Sequence, residues 1–244
     1  RIDFRNRANL AHCGGCDGAM TVGYGDVFGQ WRDGCQDIWS AYTRHAFVAG
    51  LGDGTLPREA FLRYLRQDYV FLIHFSRAWA LAVVKAGSLA EMHMAASLVN
   101  ALINEEMKLH VGVCAAAGIS ADELEQTVEL PQNTAYTRYV LEAGFSGDFL
   151  DLMAALAPCV MGYGEIGARL QADHTSPTYK AWIDTYAHPE YQQLCVDLGG
   201  LIDRAVHDRL GAACRQTGKW TDLARHFQIA TALERNFWDM GLHG

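Results

Sequence analysis

Cys159 is the residue in this chain best placed to do chemistry. It follows Pro158 inside the long apolar stretch from Leu150 to Leu170. A proline within a helix removes one backbone hydrogen bond and presses on the carbonyl four residues back. Tyr163 stands four residues past Cys159 and so shares its helix face. Gly162, Gly164 and Gly167 strip bulk from the same stretch. A thiol, a phenol and bare backbone at a kink can line a small-molecule pocket. The same spacing also describes a buried structural cysteine in a helix thinned for close packing.

Two carboxylates stand where a helical bundle should be apolar. Asp68 falls on a face with Tyr64, Leu65, Phe71, Leu72, Phe75 and Trp79. Glu234 falls on a face with Phe227, Ala230, Thr231, Phe237, Trp238 and Gly241. An unpaired buried carboxylate is costly, so each must be protonated, hydrogen-bonded or functional. A structural bridge between helices explains one such group; two flanked by aromatics point toward a site. Glu106 and His110 lie four apart and can share a face. Di-iron bundles instead repeat Glu-x-x-His at a spacing of three. That motif is absent here, so Glu106 and His110 read as a hydrogen-bonded pair supporting the packing or the pocket.

The elements that must position these groups are helices. Trp31, Ile38, Trp39, Tyr42 and Phe47 mark a first helix ending near Ala49. Pro57 opens a helix to about Ala86, and Leu89 to Ala117 forms the next, stopping at Gly118. Ser120-Ala-Asp-Glu caps a short segment. Further helices are expected over Thr134–Ala143, Gly147–Leu170, from Pro177 through Trp182, over Pro189–Cys214 and over Lys219–Trp238. No strand ladder, repeat or dividing linker interrupts them. An all-α bundle forming one domain over residues 27–244 is the expectation. Residues 1–26 are Gly-rich and aperiodic, and are expected to form a poorly ordered arm. His12, Cys13 and Cys16 there look like half a zinc site with no second ligand pair.

The chain has 244 residues and a net charge of −8. Half its residues are hydrophobic, enough for a sizeable core. The acidic balance and the absence of a Lys/Arg cluster argue against a nucleic-acid partner. No apolar run reaches about 18 residues without a charge, which argues against a membrane partner. Seven scattered cysteines suit reduced thiols in a cytoplasmic protein.

Several long segments, in order, resemble the TenA family, also called thiaminase II. They are HAFVAGLGDGTLPREAFLRYLRQDYVFL, NEEMKLH, NTAYTRYV, FSGDFLDLMAALAPCVMGYGEIG, YKAWIDTYA and LERNFWDMG. The likeness runs from Trp39 to about Gly241. It implies a haem-oxygenase-like helical fold and a homotetramer. The activity it implies is hydrolysis of 4-amino-5-aminomethyl-2-methylpyrimidine to the 5-hydroxymethyl compound, in thiamine salvage. Some family members also cleave thiamine. By position, the resemblance makes Cys159 the nucleophile and Glu234 the acid that protonates the pyrimidine ring. Asp68 would hold the amino edge of the ring. Tyr136, Tyr163 and Tyr186 would line the pocket. Phe71 stands where some members carry tyrosine, so one pocket hydroxyl is missing. The implied chemistry needs no metal or organic cofactor. The alternatives are a non-enzymatic regulator, or a haem or di-iron redox enzyme on the same scaffold.

Overall fold

A computed structural model describes residues 23–244. His12, Cys13 and Cys16 lie outside the described residues. Among those described, every regular element is helical. The helices are α1 Asp26–Asp33, α2 Gln36–Thr43, α3 Ala46–Asp53, α4 Arg58–Lys85, α5 Leu89–Ala101, α6 Met107–Ala116 and α7 Ala121–Glu125. They continue as α8 Pro131–Ser146, α9 Phe149–Asp173, α10 Lys180–Ala187, α11 Pro189–Leu210 and α12 Gly218–His243. The all-α expectation holds.

α9 is the hub, packed against α12, α10, α8 and α11. Its N-terminus is set by a capping box in which Asp148 and Asp151 satisfy each other's backbone N–H groups. Lys219 of α12 bridges both carboxylates, at 2.9 and 2.6 Å. Pro158 is absorbed within one continuous helix. By length and composition α9 is apolar enough to cross a membrane, but nearly all of it is buried inside the bundle.

Three expected helices differ in detail. The first is broken into α1, α2 and α3 by turns at Gly34-Cys35 and Arg44-His45, which lets Trp31, Trp39 and Phe47 all face the core. The expected Leu89–Ala117 helix is interrupted by a π-helical turn, Leu102–Glu106. Such a turn inserts an extra residue and re-aims the helix beyond it. The α11 segment ends at Leu210, where Gly211 takes a positive φ, and Cys214 falls in a short 3-10 turn.

The glycines of α9 admit neighbouring residues of the aromatic core. A Cβ on Gly162 would lie 2.3 Å from the Tyr42 ring. One on Gly167 would lie 2.5 Å from the backbone carbonyl carbon of Tyr186, which cannot swing aside as a flexible side chain can. Gly167→Ala should therefore destabilise the fold by about 1–3 kcal/mol, the usual cost of overpacking. A melting temperature equal to that of wild type would contradict this reading.

Candidate active site

α9 presents Cys159 to the middle of the bundle, with Tyr163 one turn further on. The carbonyls on either side of Cys159 take unusual partners. Tyr42 Oη approaches the Pro158 carbonyl at 3.4 Å, and Tyr191 Oη donates to the Val160 carbonyl at 3.1 Å. Cys159 keeps some accessible surface although it packs against the core on α9.

α12 carries Glu234 to the thiol. Glu234 is 1 % exposed, and its Oε1 accepts a hydrogen bond from Tyr136 Oη of α8 at 2.8 Å. Burial dominates its proton affinity and pushes the carboxyl up to about 8, with nearby Asp68 adding to this; the Tyr136 and Cys159 hydrogen bonds oppose it. Glu234 is therefore protonated at neutral pH. The Cys159 thiol is pushed well above its usual range, first by burial and then by Glu234, Glu106 and Asp68. A free thiolate is scarce here until something removes the proton.

Asp68 of α4 is ion-paired. His110 Nε2 meets its Oδ2 at 2.5 Å, while His110 Nδ1 faces the Glu106 carbonyl oxygen at 2.9 Å. Both ring nitrogens thus donate, which is the hydrogen-bonding pattern of an imidazolium. Burial alone would lower the His110 pKa; the Asp68 charge and hydrogen bond more than offset this and raise it to about 9. Glu106 and His110 are linked as their spacing suggested, but through the Glu106 backbone rather than its carboxyl. The Glu106 carboxyl instead accepts from Tyr186 Oη of α10 at 3.1 Å.

The sign of the His110 shift fixes a pH dependence. A histidine whose folded pKa lies above its unfolded value of about 6.5 stabilises the fold fully below that value, and loses the contribution as pH rises through about 9. Thermal melts of wild type and His110→Gln should therefore converge as the pH passes about 9. A gap that stayed constant with pH would remove the ion pair from the account.

Aromatic rings close the remaining sides. Phe71 packs against Tyr136 and Phe237, with ring centroids 5.0 and 5.4 Å apart. Tyr163 meets Tyr186 edge-on at 4.8 Å and Trp238 at 5.4 Å. All seven residues singled out from sequence, namely Cys159, Glu234, Asp68, Phe71, Tyr136, Tyr163 and Tyr186, are thereby brought into one connected cluster. Tyr42, Tyr64, Trp182, Tyr191, Glu106 and His110 complete it. Of these, Glu106 and His110 had a signal in the sequence as a pair on a shared helix face, Tyr42, Tyr64 and Trp182 appeared there only as helix aromatics, and Tyr191 had none. A surface cleft of about 460 Å³ lined by Arg63, Arg66, Gln67, Glu123 and Val128 contains none of the seven. Among the described residues no group of three or more His, Cys, Asp or Glu side chains is arranged to hold a metal ion.

A cysteine beside a protonated glutamic acid, with a histidine-paired aspartate and aromatic faces nearby, suits a flat, nitrogen-containing ring. The chain's relatives bear on which ring. The TENA/THI-4/PQQC family model matches residues 32–244. The chain belongs to the TENA/THI-4/PQQC family. It is 37% identical over 210 residues to a protein of Halalkalibacterium halodurans named aminopyrimidine aminohydrolase, covering 84% of this chain and 90% of that one. A crystal structure of a TenA family transcription regulator from Silicibacter sp. TM1040 is 58% identical and superposes with a TM-score of 0.90, covering 92% of this chain and all of that one. A TenA homologue from Pyrococcus horikoshii, 26% identical, superposes at 0.79 over 88% of this chain and 98% of that one. The helical architecture of this TenA-family chain is that of its relatives.

Proposed function

We propose that this chain is a cysteine-dependent aminopyrimidine aminohydrolase of thiamine salvage. It replaces the amine on the exocyclic methylene of 4-amino-5-aminomethyl-2-methylpyrimidine with a hydroxyl, consuming water and releasing ammonia. The observation that carries the reading is Glu234, held by Tyr136 beside Cys159 in an apolar interior. The name of the Halalkalibacterium relative supports the substrate class.

An aromatic pyrimidine does not release a benzylic-type amine readily. Addition of sulfur to the ring breaks aromaticity and lets the exocyclic group depart. Glu234 gives its proton to a ring nitrogen as the Cys159 sulfur bonds to a ring carbon, and it accepts the thiol proton in exchange. It thereby returns to the carboxylic acid it began as, and no free thiolate accumulates in a site that disfavours one. The arm leaves as ammonia. Water then bonds to the methylene carbon and the sulfur–ring bond breaks; the proton water releases goes to the thiolate, and the proton on the ring nitrogen passes to the released ammonia, leaving a neutral hydroxymethylpyrimidine and ammonium. Asp68, paired with His110, accepts hydrogen bonds from the ring amino group, and Phe71, Tyr136 and Tyr163 offer faces for stacking. Thiamine carries the same ring with a different leaving group, and its cleavage follows the same route.

Parallel turnover assays on the aminopyrimidine and on thiamine test the assignment. Hydrolysis of the aminopyrimidine at the higher kcat/KM is expected. Turnover of neither would overturn the reading. The regulator named among the structural relatives suggests gene control as a second role; the net charge of −8 opposes direct binding to a polyanion.

A further inference from the structure

Resting on that reading, we infer that Glu106, with Tyr186 and Tyr191, forms a subsite for the positively charged leaving group, and that it selects substrates whose arm carries a cation. Three carboxyl groups face this interior, and two are already accounted for. Asp68 has His110 at 2.5 Å, and Glu234 is bound to Tyr136. Glu106 has one hydrogen bond to its carboxyl among the described residues, from Tyr186 Oη to Oε1 at 3.1 Å. That leaves Oε2 for a donor. Glu106 also keeps accessible surface; burial raises its pKa and nearby Asp68 adds to this, while His110 and the Tyr186 hydrogen bond oppose it, and an arriving cation would favour the charged carboxylate further.

The surroundings suit a cation. The Tyr186 ring has Tyr191 edge-on at 5.1 Å, Tyr163 edge-on at 4.8 Å and Trp182 at 4.7 Å. Aromatic faces beside a carboxylate are the usual means of recognising an ammonium group. The π turn ends at Glu106 itself, so the irregular backbone lies where the carboxyl must be aimed inward. Tyr191 also donates to the Val160 carbonyl next to Cys159, so the aromatic wall and the thiol are held together. A primary amine on the pyrimidine arm is protonated near neutral pH. A carboxylate beside it favours that form, which departs as neutral ammonia. The hydroxymethyl product is uncharged and gains nothing from Glu106, so it is released.

The test uses the Cys159→Ser chain, in which bound substrate does not turn over. Calorimetry gives the affinity for the aminomethyl and the hydroxymethyl pyrimidine, with and without Glu106→Gln. The expected result is a loss of about tenfold or more for the aminomethyl compound and less than about threefold for the hydroxymethyl one. Glu106→Asp, which keeps the charge, should retain part of the preference. The neutral ligand also reports whether the variant is folded. Equal losses for both ligands, or none for either, would overturn the subsite. If wild type hydrolyses the aminopyrimidine and the preference survives Glu106→Gln, only the subsite fails. If wild type neither binds nor hydrolyses it, the hydrolase reading and the subsite fall together.

Discussion

Cys159→Ser should lower aminopyrimidine turnover by roughly 1,000-fold or more, the scale on which loss of a nucleophile is felt. The fold should survive, because serine is smaller than cysteine and Cys159 already has accessible surface beside it. The chemistry should not. The thiol proton must pass to Glu234, whose own affinity is held up to about 8. A thiol is within reach of such an acceptor even after burial has raised it, whereas an alcohol holds its proton far more tightly and its oxygen adds to the ring poorly. Ammonia release, together with melting temperature, checks this. Turnover within a few-fold of wild type would mean that Cys159 is only a packing residue.

Glu234→Gln is expected to reduce turnover by roughly 100-fold or more, the scale for a positioned acid. Glutamine keeps the shape and can still accept from Tyr136, so the affinity for the hydroxymethyl product should change little. The pH behaviour separates this role from a structural one. In wild type, activity should fall as pH rises through about 8, where Glu234 loses its proton, and Glu234→Gln should lack that limb. Stability should follow the same sign. A carboxyl whose folded pKa lies above its unfolded value stabilises the fold at low pH relative to high pH, and that advantage is lost as pH rises through about 8. The glutamine variant should therefore lose less melting temperature than wild type as pH rises from about 4.5 to about 8. A variant that turns over normally but melts early would leave Glu234 as a bridge between α8 and α12.

The carboxylates were legible because a helix repeats every 3.6 residues and acids on an aromatic stripe violate its pattern. Asp68 and Glu234 stand out in that way, and Cys159 does so through its proline. The glycines read correctly as thinning α9, but the sequence could not say that Tyr42 and Tyr186 are what they admit. The partner of His110 was also hidden. Asp68 is 42 residues away, and the nearer Glu106 carboxyl offered a more obvious pairing. The π turn escaped because Leu-Ile-Asn-Glu-Glu is ordinary helical sequence. What distinguishes it is a longer backbone hydrogen-bond ring set by tertiary packing. Tyr42 reaches the Pro158 carbonyl across 116 residues of chain, and no local pattern encodes such a contact.

The most direct measurement is turnover of 4-amino-5-aminomethyl-2-methylpyrimidine by the wild-type chain in oxygen-18 water, followed by mass spectrometry and an ammonia assay. The account predicts one ammonia for each hydroxymethylpyrimidine formed, with the heavy oxygen in the new hydroxyl and no product from the Cys159→Ser chain. Absence of ammonia from wild type, or equal product from Cys159→Ser, would contradict it.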